Sequence, residues 1–396
     1  MLRMRPRPEK LFVGNEGGFV AHALDERIPR IIRNVQADAR WSADARARLG
    51  ALAATATRTG TVDALAEAVG TEPPSLTAYR GRRLAAVPFF DFEFALYEAI
   101  NTIVEFDGTR SRDPFAEQKR QAEAQAFAAA DGALAAAVAF GRAGDPVGDA
   151  LHFALRGNVA DLSQTRRSDA SVGALLADDT NSVLRRLRET PRGGVVAILL
   201  DNVGDELLAD CILARTLIAE LSGLTVELHA KTAPMFVSDA LVYDYRAFAD
   251  GMASFSETTA RLSADLRDAE EQGRLRIVGI SALSAPTFAT TLPTELEERY
   301  ASMRAVIAKG DLNYRRFLED RCWPADTPVV RACAELPFAA WCLRVLKSEA
   351  VVGLSPELVA RLETQAPDWR YAGAFAMLQW LGSEEGSAAT RRIDRA

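Results

Sequence analysis

The run GGVVAILLDN, residues 193–202, constrains the fold more than any other stretch of the chain. Its apolar block is the length of a strand buried on both faces and too short for a core helix, and Asp201 and Asn202 close it. A helical stripe follows, with Leu207, Cys211, Ala214, Ile218 and Leu221 at steps of three and four. TVELHAK then sets Val226, Leu228 and Ala230 against Glu227, His229 and Lys231, as a second strand would. RLRIVGI, MRAVIAKGD and EAVVGL are three more strand candidates, and residues 251–272 read as a crossover helix. Strands alternating with helices predict an α/β fold built on a mostly parallel sheet.

The first half of the chain has a different texture. No β-branched run of strand length occurs before residue 190, so the N-terminal part is expected to be all helical. Ile28, Ile31, Ile32 and Val35 share a helical face, with Pro29 near the start where a helix tolerates it. TVDALAEAVG ends on Gly70, a Pro73-Pro74 pair breaks the chain, and FFDFEFALYEAINTIVEF is a bulky apolar helix. The alanine-rich stretch 115–141 reads as one long helix or two joined near Gly132.

Open parallel sheets bind ligands beyond the carboxyl ends of their strands. Three such ends are polar here: Asp201-Asn202, Ser238-Asp239 after MFV, and Lys309-Gly310-Asp311. Asp201, Asn202 and Asp239 offer hard oxygen donors suited to a divalent cation, although Asp and Asn also cap turns and helices. Glu206 reads as an acid matching a helix dipole. Lys309, Arg315, Arg344 and Lys347 would balance a phosphate ester, with Arg344 and Lys347 sharing a helical face; Arg316 reads as a solvated surface charge. Asp311 and Asn313 either cap a helix or bind hydroxyls.

Other machinery is excluded. The net charge of −7 leaves no basic excess for gripping nucleic acid. GxGxxG, GxxxxGK[ST] and GxSxG are absent, and His22, His152 and His229 make no metal spacing. Cys211, Cys322, Cys333 and Cys342 form no CxxC pair, so no zinc ribbon is expected and a cytoplasmic location is. The basic start lacks the apolar block of a secretory leader, and no run approaches a membrane span.

Four ordered segments, DNVGDELLADCILA, HAKTAPMFVSDAL, AKGDLNYRRFLEDRCWP and LRVLKSEAVVGL, resemble the damage-control phosphatases of the DUF89 family, specifically the ARMT1-like subfamily. ERIPRII, FEFALYEAI, RDPFAEQK and RGNVADLS extend the resemblance over about residues 20–380. It implies a helical N-terminal domain (residues 1–150) before a three-layer α/β/α metal-binding catalytic domain (residues 151–396). It implies metal ligation by Asp201, Asn202 and Asp239. Asp311, Leu312, Asn313, Tyr314 and Arg315 match the substrate-binding stretch, and Arg344 and Lys347 match an RTxK motif in which Val345 replaces threonine. Glu93 and Tyr97 match an acidic-aromatic helix motif whose usual paired arginines are Glu98 and Ala99 here. Asn158 and Asp161 match a GNxxDLS segment.

The expected function is a metal-dependent phosphatase of small phosphorylated metabolites, sugar phosphates foremost, using Mn²⁺, Co²⁺, Ni²⁺ or Mg²⁺. Asp201, Lys309 and Lys347 carry the catalytic expectation, with attack by water or by Asp201 itself both open. Two rivals stand beside it. One is a protein carboxyl methyltransferase using S-adenosylmethionine, whose usual glycine loop is missing; the other is a noncatalytic metal- or ligand-binding homologue.

Overall fold

The computed structural model describes residues 7–141, 144–160, 174–188 and 194–383, without the side chains of 133–141, 156, 158–160 and 174. The expected Asp161, and the side chain of Asn158, lie outside the described residues.

Seven strands form one sheet: β1 (Ala174–Asp178), β2 (Val195–Leu199), β3 (Thr225–Ala230), β4 (Leu275–Gly279), β5 (Ala305–Lys309), β6 (Ala340–Val345) and β7 (Phe375–Leu381). Their order is β1-β7-β6-β5-β2-β3-β4, and every neighbouring pair is parallel except β6 with β7. The chain runs outward from β2 through β3 to β4, then returns to lay β5 on the other side of β2. That reversal opens a crevice between the carboxyl ends of β2 and β5.

Alternation along the strands builds two cores. Val196, Ile198, Ala305 and Ile307 pack under helices Pro146–Ala160, Asp205–Glu220, Val242–Phe255 and Glu257–Glu271. Ala197, Leu199, Val306 and Ala308 face Tyr300, Tyr314, Phe317, Trp323 and Phe338 on the opposite side. The result is three layers, α/β/α.

The N-terminal region is helical, as expected. Ile28, Ile31, Ile32 and Val35 are the buried residues of helix Ile28–Gln36, and Gly70 ends helix Val62–Val69 in the left-handed conformation (φ 80°). Helix Phe89–Ile103 is buried on nearly every face at the centre of this cluster, which also takes in Met235, Phe288 and Leu312 from the α/β layers. Ala116–Gly141 is one helix rather than two. Among the described residues no helix is long and apolar enough to cross a membrane.

Several expectations are corrected. β1 lies before residue 190; its sequence, ALLAD, has no intrinsic strand signal and is a strand because β7 pairs with it. EAVVGL is not a strand. Val351, Val352 and Leu354 are buried, but their segment is irregular: the Tyr314 hydroxyl accepts from the Val352 N–H, and Gly353 sits at φ 83°. MFV is likewise a turn. Arg344 lies in β6 and Lys347 beyond it, so they share no helical face. Leu221 falls just past its helix.

The polar side of β3 is buried too. Glu227 accepts from His229 Nε2 at 3.0 Å and from Arg299 at 2.6 Å, while His229 Nδ1 takes the Tyr300 hydroxyl at 3.0 Å. The hydrogen bond from His229, seconded by Arg299 against the opposing effect of burial, holds the Glu227 carboxyl down at about 2, and burial lowers the His229 pKa. A depressed carboxyl stabilises the fold above its unfolded value of 4.5, and that contribution disappears as pH falls from 4.5 toward about 2. Denaturant midpoints measured across this window should fall more steeply with acidification in the wild type than in Glu227→Gln.

Candidate functional site

Asp201 and Asn202 leave β2 at the crevice. The Asp201 carbonyl accepts from Ala240 N–H (2.8 Å), Val203 N–H donates to the Ser238 carbonyl (2.8 Å), and Asn202 bridges Asp239 in antiparallel fashion. Asp239 therefore reaches the site on a returning loop, not on a strand tip. Just before it, Phe236 and Val237 have φ of 47° and 65°, and a β-branched residue there is a genuine outlier. Such conformations cost about 1–3 kcal/mol each and persist where packing imposes them. The Phe236 ring packs on Phe94 and Tyr97, with centroids 5.1 and 4.9 Å away, so the N-terminal helix Phe89–Ile103 helps impose this one.

Each of the three side chains is held by the protein through at least one polar atom, and Asn202 through both ends. Asn202 Nδ2 donates to Asp201 Oδ2 (3.0 Å) and to Glu206 Oε1 (2.9 Å), and Asn202 Oδ1 accepts from the Ser238 hydroxyl (2.6 Å). Lys231 Nζ pairs with Asp239 Oδ2 at 2.8 Å, while Asp239 Oδ1 is buried without a hydrogen bond. Burial raises the Asp201 carboxyl to about 7; Asp239 adds to the rise, and Lys231, Lys347 and Lys309 oppose it. Burial likewise raises Asp239, opposed chiefly by Lys231, and lifts Glu206 to about 7 and Asp210 to about 6.

Two buried carboxylates beside an amide oxygen form a hard donor set that fits a Mg²⁺- or Mn²⁺-like ion. The unpartnered Asp239 oxygen is the observation that favours it. Among the described residues no three His, Cys, Asp or Glu side chains come together as a cation cluster.

A cationic side stands across Gly310. Asp311 Oδ1 lies 3.0 Å from Arg344 Nη1 and accepts Lys347 N–H at 3.2 Å. Arg344 is wholly buried, its guanidinium 3.7 Å from the Tyr314 ring centroid, yet Nε, Nη1 and Nη2 all lack an aligned hydrogen-bond acceptor. Asn313 donates to the Lys309 carbonyl (2.8 Å) and leaves its buried Oδ1 without a partner.

The remaining predicted residues are engaged with other parts of the protein. Lys309 is fully buried in an ion pair with Asp210 on helix Asp205–Glu220. Leu312 joins the N-terminal core, and the Tyr314 hydroxyl donates to Gln379 at 2.7 Å. Arg315 is committed to Asp320 (2.7 and 3.0 Å) and to Glu93 (2.7 Å), which also pairs with Arg27. Tyr97 is buried against Phe115 and Phe236. Arg316 is no surface charge: it donates to the carbonyls of Ala282, Leu283, Ala285 and Thr287, and burial lowers its pKa to about 9. Lys231 was missed by sequence reasoning. Its signal was its place at the end of a strand whose polar face is also covered, since a buried lysine needs a carboxylate.

A family model matches most of the chain. The model for the damage-control phosphatase ARMT1-like domain matches residues 23–362. Damage-control phosphatase ARMT1 of Mus musculus is 30% identical over 254 residues, covering 59% of this chain and 58% of the relative. That of Homo sapiens is 30% identical over 203 residues, covering 50% and 46%. The chain thus spans about half the length of these relatives. A DUF89 family protein from Pyrococcus horikoshii, solved by crystallography, aligns at 18% identity and a TM-score of 0.48 over 90% of this chain and 95% of that one.

Proposed function

The chain belongs to the damage-control phosphatase ARMT1-like domain family, and on that premise we propose that it is a metal-dependent phosphatase of small phosphorylated metabolites, sugar phosphates foremost. The observation that carries this reading is a pair of buried, unmet polar groups of opposite sign. Asp239 Oδ1 lacks a partner on the carboxylate side, and the Arg344 guanidinium lacks aligned acceptors on the cationic side. A divalent ion bearing a phosphate would satisfy both.

Asp201, Asn202 and Asp239 would hold the ion, Mn²⁺ being the first candidate. When bound, it supplies Lewis-acid polarisation and charge neutralisation at a phosphoryl oxygen. Arg344 presents a planar fork to the remaining oxygens, oriented by Asp311 and the Tyr314 ring. Lys347 adds positive charge, as its opposition to the raised Asp201 and Glu206 carboxyls indicates. The free Oδ1 of Asn313 is a ready acceptor for a substrate hydroxyl. Lys309, neutralised by Asp210, braces β5 against its neighbouring helix instead of meeting phosphate directly.

The test is release of inorganic phosphate from a panel of phosphorylated sugars by the full chain. Turnover should require Mn²⁺ or a similar ion, fall to background in chelator and return when metal is restored. Undiminished hydrolysis in chelator overturns the metal assignment; saturable binding of every substrate without phosphate release overturns the phosphatase. In a chain that turns over, Arg344→Lys should lower kcat/KM by about tenfold or more, because an ammonium cannot replace the bidentate fork.

A further inference from the structure

Glu206 lies in the first turn of helix Asp205–Glu220, where an acid ordinarily faces solvent and complements the helix dipole. Here it is buried instead, with 1% of its surface exposed. Its Oε1 accepts from Asn202 Nδ2 at 2.9 Å, and the same amide nitrogen donates to Asp201 Oδ2 at 3.0 Å. An amide group has two N–H donors on one side and a carbonyl oxygen on the other. With both donors engaged by carboxylates, its oxygen must face away from them. It points to Ser238, the residue beside Asp239, and accepts that hydroxyl at 2.6 Å. Turning the amide over would set a carbonyl oxygen against two carboxylates and leave the Ser238 hydroxyl as the one acceptor facing its two donors.

We propose that Glu206 is a positioning residue: it locks the Asn202 side chain with its oxygen toward the Asp239 side, making the amide a preset metal donor. The inference rests on the metal reading above and extends it to a residue outside the three proposed ligands. It assigns Glu206 an acceptor role and not a charge role. Residues that orient metal ligands typically change affinity by about 10–100-fold when replaced.

The test is calorimetric titration of the metal-free full chain with Mn²⁺, which reads affinity without turnover. Glu206→Leu removes the acceptor and should weaken binding by about tenfold or more. Glu206→Gln keeps a carbonyl acceptor for Asn202 and should stay within about threefold of wild type. Equal weakening in both variants would assign the effect to charge and overturn the proposal, as would unchanged affinity in Glu206→Leu. If Glu206→Leu does not fold, Glu206→Gln still decides, since a charge role requires it to bind about tenfold more weakly or worse. Absence of Mn²⁺ binding by the wild type would sink the metal reading itself, and this inference with it.

Discussion

Gly310→Ala is expected to cut phosphate release by about a hundredfold or more while leaving the far-UV circular dichroism of the protein unchanged. Gly310 follows β5 directly, on the side of the crevice opposite Asp201. A Cβ built there would lie 1.8 Å from Asp201 Oδ2 and 2.2 Å from its Cγ, and the backbone φ is 79°. Left-handed φ alone costs an alanine about 1 kcal/mol. The overlap is the larger matter. No rotamer choice is open to a methyl group, so either the carboxylate or the start of helix Gly310–Phe317 must move by about an ångström. Misplacement on that scale commonly costs about two orders of magnitude in rate. Both halves of the site hang on this junction, because Asp311, the next residue, carries Arg344 and Lys347. Gly81 is the control: its φ is 72°, nothing lies within 4 Å of the built Cβ, and Gly81→Ala should share the strain but keep wild-type turnover. Wild-type turnover and Mn²⁺ affinity in Gly310→Ala would show that the close approach has no functional weight.

The crevice was readable in the sequence because β2 and β5 are short apolar runs that end abruptly in polar residues. Their pairing satisfies the backbone on both sides, so neither run needs outside help to be recognised as a strand. β6 was not readable, since it carries Arg344 in a position that looks solvent-facing until Asp311 and Tyr314 cover it. EAVVGL misled for the converse reason. Its apolar residues are buried, but a tyrosine hydroxyl and the Gln379 side chain meet its backbone in place of a ladder. Asp239 does lie beside Asn202, but not at the end of a strand: MFV is a strained turn, and the register that joins Asp239 to Asn202 is set partly by aromatic rings about 140 residues upstream. Periodicity reports local preference, whereas these features depend on contacts distant in sequence. Glu206 shows the same limit. Its position fits a dipole partner, and only its burial against Asn202 marks it as something else.

Lys119→Met should be the most destabilising single substitution among those considered, by about 3–5 kcal/mol. The ammonium lies 2.8 Å from Asp113 Oδ2 and 2.7 Å from Asp244 Oδ2, and all three side chains are completely buried. The carboxylates are fixed from other directions as well: Asp113 accepts from Phe115 N–H and the Tyr243 hydroxyl, and Asp244 accepts from Leu241 N–H. Without Lys119 these bonds hold two negative charges in place with no buried ammonium between them. Burial already raises the Asp244 carboxyl, and the Lys119 ammonium is the largest influence opposing that rise. Its removal raises the folded pKa further above the unfolded value. A raised carboxyl makes the folded state bind more protons than the unfolded one, so the variant loses stability as pH rises above about 4. Urea midpoints for Lys119→Met should therefore lie closest to wild type near pH 4 and furthest at about pH 8. Adding Asp244→Asn should recover part of the loss, because the amide oxygen still accepts from Leu241. The damage should also reach the site, since Leu241 pairs with Lys231 and follows Ala240, whose N–H holds the Asp201 carbonyl. A wild-type midpoint in Lys119→Met, independent of pH, would mean that water reaches this cluster and that the helical region does not clamp the Asp239 loop in the way the ion pairs imply.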